Sequence, residues 1–291
     1  MVADDAGREI VSVEAVGSAI KPGEAERSAE IMAAAVRDAL AACKMTHVTP
    51  KVLCVGVAGA GRDAERQALW QALVSREVAD DVMVHTDAMI GLDDAFGDGP
   101  GVLVIAGTGS VGYGRGPTGA FARCGGWGPH IGDEGSGQWI GRRALSIVTA
   151  AHDGREPETA LSGAVLTAAQ VNEVADLIPW GAAATPADLA TLAPVVMSVA
   201  QSGDLRANSL MTLAVEELVL HARTLARQLF VDERAAVPLA LGGGLLDKGT
   251  LLRKRMVTRL KTAVPGAILR EEDVLPVRGA VRAALRLLGV R

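Results

Sequence analysis

The stretch formed by residues 125–137 constrains the fold of this chain more than any other segment. It reads GGWGPHIGDEGSG, and six of its thirteen residues are glycine. A flexible linker consists of glycine and serine with little else, whereas this stretch also holds a tryptophan, a histidine and two adjacent carboxylates. Because glycine lets the backbone approach another group closely, the pattern predicts a small-molecule site with a few fixed side chains.

Apolar runs and amphipathic segments alternate along the rest of the chain. The runs at 51–57, 101–106 and 237–241 are typical of buried strands, and a helix is expected at 245–262 after the last of them. The region 138–231 is predicted to be entirely helical, with breaks between successive helices at pairs such as Asp-Gly and Thr-Pro. Strands that alternate with helices predict an α/β fold, and a length of 291 residues favours two lobes.

Three glycine signals each follow a predicted strand or hairpin, at 107–110 (GTGS), 125–137 and 242–244 (GGG). Ligands of α/β proteins bind beyond the carboxyl ends of strands. The GTGS loop can cradle phosphate through backbone N–H groups and hydroxyls, although an ordinary hairpin turn is the simpler interpretation of this motif taken alone. It matches neither a Walker A nor a Rossmann motif. The GGG loop allows either close approach to a flat ligand or a tight packing contact.

Three carboxylates lie on either side of the GTGS loop in sequence. Asp87 stands where a strand ends and a helix begins, so it is either a helix N-cap or a general base for a substrate hydroxyl. Asp133 and Glu134 either complement the dipole of the helix that follows or act in the site. The functional interpretation gains support because the carboxylates bracket the GTGS loop in sequence.

The glycine-rich stretch also contains two aromatic side chains, Trp127 and His130. Trp127, between glycines, suits the wall of a sugar pocket, with a packing anchor as the alternative. His130 is interpreted as structural. A metal site built on His85 and His130 has no ligand spacing to support it, so no metal ligand is assigned.

Composition argues against several partners. The net charge is −5, which is unfavourable for nucleic acid or an anionic membrane surface. No run of apolar residues is long enough for a membrane span, and the N-terminus lacks a secretory signal. Three cysteines without CxxC spacing fit a reducing compartment. These features predict a cytoplasmic protein that binds neither nucleic acid nor membrane.

Several motifs together resemble the N-acetylglucosamine kinase and BadF/BadG/BcrA/BcrD ATPase family. They are Thr86-Asp87, GTGS at 107–110, and the pattern GGWG-x3-GDEGSG-x2-IG-x2-AL at 125–145. The resemblance implies an actin-like ATPase fold of the sugar kinase/hexokinase type, which is ribonuclease H-like, with ATP and sugar bound between two lobes. It assigns 1–97 and the C-terminal helix 275–291 to one α/β lobe, and 98–274 to the other, with a helical insertion at about 138–231.

The resemblance also implies roles for individual residues. Asp87 would be the catalytic base, and ATP with Mg²⁺ would be the cofactors. The remaining positions divide into a substrate group (Ser110, Gly126, Trp127, Gly128, Asp133) and a nucleotide group (Gly107, Thr108, Gly109, Gly242, Gly243, Gly244, Leu245). A sugar and ATP are the expected partners, and a homodimer is compatible with the family.

The N-terminus departs from the family pattern. The family opens with a strand and a first phosphate loop of the form Asp-Gly-Gly-Gly-Thr, whereas residues 4–7 here, DDAG, correspond to the turn that follows it. We therefore expect that this strand and loop, roughly fifteen to twenty residues, are absent, through a start codon assigned downstream or a truncated paralogue. Residues 17–22 also lack the Asn that some members place near the sugar, which leaves N-acetylglucosamine, glucosamine and a related sugar open.

The leading hypothesis is ATP-dependent phosphorylation of an amino sugar with Asp87 as general base. One alternative is an activator ATPase of a dehydratase system, which would need cysteines for a shared iron–sulfur cluster. Cys124 has no second cysteine in a suitable position. The other alternative is a non-catalytic sugar-binding paralogue, which the missing first loop suggests.

Overall fold

The computed structural model describes residues 1–17, 20–232 and 235–290. Ser18 and Ala19, which belong to the segment 17–22 discussed above, lie outside the described residues. The chain divides into two compact units. The first comprises Met1–Gly99 and Val274–Arg291, and the second comprises Pro100–Asp273.

Nine strands are found in the described part of the chain. They are β1 (Val2–Ala3), β2 (Glu9–Val11), β3 (Val52–Gly56), β4 (Asp81–His85), β5 (Gly101–Ala106), β6 (Ser110–Arg115), β7 (Phe121–Gly125), β8 (Val237–Gly242) and β9 (Ala267–Leu269).

Eleven α-helices accompany them over the same described ranges. They are α1 (Ala25–Ala42), α2 (Asp63–Val74), α3 (Asp87–Phe96), α4 (Gly137–His152), α5 (Leu161–Ala169), α6 (Leu177–Ala183), α7 (Pro186–Ala190), α8 (Leu192–Gln201), α9 (Leu205–Leu229), α10 (Leu251–Ala263) and α11 (Pro276–Leu287).

The first unit contains two small sheets. Strands β1 and β2 pair antiparallel, and β3 and β4 pair parallel with Gly56 opposite His85. The second unit contains one five-stranded sheet in the order β7-β6-β5-β8-β9. In it β5 and β8 are parallel neighbours, so the loops that follow them lie at the same edge of the sheet.

One predicted helix begins later than the sequence suggested. The helix expected at 245–262 starts only at Leu251, and Gly244–Leu246 form a single 3-10 turn instead. The Thr250 hydroxyl accepts a hydrogen bond from the Arg253 N–H and caps α10. Gly249, with φ +92°, adopts the left-handed backbone that a continuous helix excludes.

The core of the second unit consists of aliphatic side chains between the sheet and the helices. Ile140 of α4, Leu218 and Leu225 of α9, and Val104 and Leu239 of the sheet are all 0% exposed. Helix α9 packs along β5, β6 and β7. The low aromatic content of 3% is therefore compensated by close packing of Ala, Val, Leu and Ile.

An ion-pair network joins the C-terminal helix to α3 in the first unit. The Asp94 carboxylate is fully buried and accepts hydrogen bonds from both Nε and Nη2 of Arg278 at 3.0 Å, and from the Leu275 N–H at 2.8 Å. A Cβ on Gly279 would lie 1.8 Å from the Ile90 carbonyl oxygen, so the two helix backbones touch. This contact fixes α3, whose first residue is Asp87.

No helix among the described residues is long and apolar enough to cross a lipid bilayer.

Replacement of Asp94 by Ala should lower the free energy of unfolding by about 2–4 kcal/mol, because the Arg278 guanidinium and the Leu275 N–H both lose a buried acceptor. Urea unfolding followed by circular dichroism measures the change. Glu30→Ala is the control, since it removes only surface ion pairs, with Arg37 and Arg76, and should cost at most about 1 kcal/mol. Equal effects of the two variants would contradict the prediction.

Candidate functional site

The GTGS loop connects β5 to β6 and is held by the first turn of α4. The Gly107 carbonyl accepts a hydrogen bond from the Gly137 N–H at 2.8 Å, and the Thr108 carbonyl accepts one from the Gln138 N–H at 3.2 Å. Within the loop, the Gly107 N–H donates to the Gly109 carbonyl at 2.9 Å. The loop therefore turns two carbonyl groups towards the helix.

Two consecutive backbone N–H groups of the loop remain free to donate hydrogen bonds to a ligand. Within the described parts of the chain, the N–H groups of Thr108 and Gly109 donate to no acceptor, and Thr108 is exposed. Successive free backbone N–H groups beside a hydroxyl form a concave site for an anionic oxygen. The loop therefore has two free backbone donors of the kind that phosphate binding requires, and phosphate binding itself stays a prediction.

The GGG loop after β8 lies against the end of β5. Gly243 has φ +85°, and a Cβ there would lie 2.5 Å from the carbonyl oxygen of Ala106. The loop therefore adjoins the GTGS loop and presents backbone without side chains. The Leu245 side chain is 8% exposed and packs into the core of the unit.

Asp133 links the GTGS loop to the glycine-rich stretch. Its Oδ1 accepts a hydrogen bond from the Gly128 N–H at 3.1 Å, and a Cβ on Gly109 would lie only 2.6 Å from its Oδ2. The residue is 8% exposed and has φ +60°, an uncommon backbone conformation for aspartate. Burial raises the pKa of Asp133, and the Gly128 N–H opposes that shift.

Ser110 ties the start of β6 to the same stretch. Its side chain is buried, and its hydroxyl donates to the Glu134 carbonyl at 2.7 Å. Ser136, rather than Asp133 or Glu134, caps α4 by accepting from the Trp139 N–H at 3.3 Å. Direct contact of Ser110 with a sugar stays a prediction.

Trp127 projects from the glycine-rich stretch and is 70% exposed. Its neighbours Gly126 and Gly128 have φ +70° and +92°, conformations that side-chain-bearing residues rarely adopt. The Arg123 guanidinium lies 5.6 Å from the centre of the Trp127 ring, a cation–π distance. Arg123 is not among the site residues expected from the sequence, because a single cation two residues before Gly125 is a weak signal.

Asp87 belongs to the first unit, at the end of β4. Thr86 is the N-cap of α3 and accepts from the Met89 N–H at 3.1 Å, so the interpretation of Asp87 as that N-cap is wrong. The half-buried Asp87 carboxylate accepts from the Ala88 N–H at 2.9 Å through Oδ1. Its second oxygen has no partner among the residues that the structure describes.

No metal site built from protein side chains is found among the described residues. No group of three or more His, Cys, Asp or Glu side chains among them could hold a metal ion, and His130 is exposed. The three cysteines are free and half-buried. Burial raises the pKa of Cys54 to about 12 and also raises that of Cys124, which disfavours the thiolate form that a metal cluster needs.

The model of the BadF/BadG/BcrA/BcrD ATPase family matches residues 1–285. The chain belongs to this family. A similar relative is the N-acetylmuramic acid/N-acetylglucosamine kinase of Clostridium acetobutylicum, 34% identical over 67% of this chain and 64% of that protein. Another is the N-acetyl-D-glucosamine kinase of Dictyostelium discoideum, 29% identical over 82% of this chain and 76% of that protein.

A solved structure shows the same fold. This structure is that of a Chromobacterium violaceum protein assigned as an N-acetylglucosamine kinase. It is 30% identical to this chain, with a TM-score of 0.74, and the match covers 92% of this chain and 87% of that one. The chain therefore has the actin-like, sugar-kinase type of fold that the sequence predicted. The match to the Clostridium kinase spans less than two thirds of that protein's length.

Replacement of Gly109 by Ala should lower the free energy of unfolding by about 1–3 kcal/mol, because the new Cβ would collide with the Asp133 carboxylate. The Gly128 amide resonance in a ¹⁵N–¹H NMR spectrum should move as well, since Asp133 is its acceptor. Gly107→Ala is the matched control, because a Cβ there meets nothing within 4 Å. A Gly109→Ala variant as stable as Gly107→Ala would show that Asp133 does not touch the loop.

Proposed function

We propose that the protein catalyses ATP-dependent phosphorylation of an amino sugar, N-acetylglucosamine or glucosamine. The observation that carries the proposal is the juxtaposition, in one unit, of the free N–H groups of Thr108 and Gly109 with the Asp133 carboxylate. A phosphate site and a hydroxyl-binding carboxylate are thus neighbours. The names of the relatives from Clostridium and Dictyostelium support an amino sugar as acceptor.

The phosphate side uses backbone groups. Thr108 and Gly109 would donate N–H groups to phosphate oxygens, and the side-chain-free segment Gly242 to Gly244 would lie against the adenosine. When bound, ATP supplies the phosphoryl group and Mg²⁺ neutralises its developing charge. Mg²⁺ in such sites is held by substrate phosphates, waters and one or two carboxylates, and none of the described carboxylates is assigned to it.

The sugar side uses Asp133 and the glycine-rich stretch. With its Oδ1 engaged by the Gly128 N–H, Asp133 would accept hydrogen bonds from sugar hydroxyls through Oδ2. The exposed Trp127 face would pack against the apolar face of the sugar ring. Gly126 and Gly128 would permit this by bringing the backbone close to the ligand.

Asp87 would act as general base. One of its oxygens is oriented by the Ala88 N–H, which leaves the other to take the proton from the attacking sugar hydroxyl. Positioning of reactants and stabilisation of charge account for most of the catalysis in phosphoryl transfer. The base contributes a further factor of about 10²–10⁴.

Asp87→Asn should reduce kcat by about 10²–10⁴-fold, because the amide cannot take the proton, while the dissociation constant for the sugar changes little. ADP release in a coupled assay with ATP, Mg²⁺ and N-acetylglucosamine measures kcat, and calorimetry measures sugar binding. Asp63→Asn is the matched control, since Asp63 is also a first-turn carboxylate in a helix of the first unit.

Two outcomes would count against the proposal. If the wild-type protein releases no ADP with any amino sugar, the kinase function fails. If calorimetry then shows sugar binding without ATP binding, the non-catalytic sugar-binding alternative is supported instead. A fully active Asp87→Asn variant would leave the kinase function standing and remove Asp87 from its role.

A further inference from the structure

His221 is a buried histidine of α9 that the proposed phosphoryl transfer does not use. It is 5% exposed, and its Nδ1 lies 2.7 Å from the Glu217 carbonyl oxygen, one turn earlier in the helix. Because a carbonyl oxygen only accepts hydrogen bonds, Nδ1 carries a proton, and the neutral ring has its lone pair on Nε2. That Nε2 is shielded from solvent and has no hydrogen-bond partner among the described residues.

The unpartnered Nε2 points at the place where the glycine-rich stretch leaves β7. A Cβ on Gly125 would lie 1.9 Å from Nε2 and 2.5 Å from Cδ2 of the ring, so only glycine leaves room for the imidazole. Gly125 and Gly126 have φ +71° and +70°, and Arg123 donates to the carbonyls of both. The exit of the stretch is therefore fixed by one side chain from β7 and one from α9.

Burial of Nε2 without a partner works against stability. Buried polar atoms that lack a hydrogen bond are uncommon in native proteins, and each lowers the free energy of unfolding. The residue is also packed against the sheet, since a Cβ on Gly112 of β6 would lie 3.2 Å from the His221 Cβ. An apolar side chain of similar size would fill this space without an unpaired nitrogen. The imidazole is therefore better explained by its effect on the stretch than by stability.

The position of the chain at Gly125 affects the proposed sugar site a few residues later. From Gly125 the chain runs to Gly128, whose N–H donates to Asp133 at 3.1 Å. Burial raises the pKa of Asp133, and the His221 ring is among the nearby groups that oppose this rise, so the ring and the carboxyl are close neighbours. A change in the ring thus reaches Asp133 over a short path within the second unit.

We propose that His221 is a positioning residue of the sugar site, which holds Gly125 in place and thereby orients Asp133 and Trp127 towards the sugar. The inference rests on the proposed sugar kinase function. The buried ring itself contacts neither sugar nor ATP. Loss of the ring should therefore weaken binding of the sugar and have little effect on ATP, because the GTGS loop is held separately by the first turn of α4.

Two partial replacements of the ring test this role. Gln at position 221 places an amide group near the position of Nε2, against Gly125, whereas Asn reaches only to the position of Nδ1. His221→Asn should raise KM for N-acetylglucosamine about threefold to thirtyfold and KM for ATP less than about twofold, because only the sugar contacts are displaced. His221→Gln should keep both KM values within about twofold of wild type.

Leu210→Ala is the matched control for a general loss of stability. Leu210 belongs to the same helix and is 2% exposed, so its truncation leaves a cavity in the core and lowers the melting temperature. Its KM for the sugar should stay at the wild-type value. If Leu210→Ala raises that KM as much as His221→Asn does, the effect is general destabilisation and the proposal is overturned.

The Gly128 amide gives a readout that does not depend on turnover. Its ¹⁵N–¹H resonance should move in His221→Asn and stay near the wild-type position in His221→Gln, because Asp133 is its acceptor. If the wild-type protein phosphorylates no sugar, the kinase function fails, and an unmoved Gly128 resonance then overturns the positioning role. Phosphorylation with an unchanged sugar KM in His221→Asn overturns the inference and leaves the kinase function intact.

The wild-type protein supplies the test if His221→Asn does not fold. The Cε1–H resonance of His221 should move when N-acetylglucosamine is added, because the buried ring senses the stretch rather than the ligand itself. Absence of any movement at a saturating sugar concentration overturns the proposal.

Discussion

The arrangement of the site depends on the two hydrogen bonds that dock the first turn of α4 onto the GTGS loop. The N–H groups at the start of a helix have no partner within the helix, and those of Gly137 and Gln138 use the carbonyls of Gly107 and Thr108. The carbonyls of the loop are thereby engaged by the helix, while the N–H groups of Thr108 and Gly109 have no acceptor among the described residues. A side chain at position 137 would disturb this contact, since a Cβ would lie 3.0 Å from the Gly107 oxygen.

Glycine in this region serves mainly to bring backbone segments close to their neighbours. A Cβ on Gly243 would collide with the end of β5, and one on Gly109 would collide with Asp133. Behind the stretch, a Cβ on Gly125 would lie 1.9 Å from Nε2 of His221, a buried histidine of α9 whose Nδ1 bonds to the Glu217 carbonyl. The loops are therefore closely packed and pre-organised, which reduces the conformational entropy that is lost when a ligand binds.

Local patterns predicted most of the fold, and long-range contacts account for what the sequence did not reveal. The strand at 101–106 has the predicted bounds because an apolar run between turn signals identifies a buried strand well. The late start of α10 was missed because the Thr250 cap competes with a continuous helical pattern. The contact between Arg123 and Trp127 was also not predicted, because it depends on the path that the glycine-rich backbone takes after β7.

The opposite charges of Asp133 and Arg123 both contribute to the order of the glycine-rich stretch. Because burial raises the pKa of Asp133 in the folded state, the neutral form contributes stability that is present below the ordinary value near 3.8 and is lost as pH rises through the raised pKa. The ionised form, however, is the better acceptor for the Gly128 N–H. Arg123 lowers the cost of that ionisation and also donates to the Gly125 and Gly126 carbonyls, so one cation helps to order the loop in two ways.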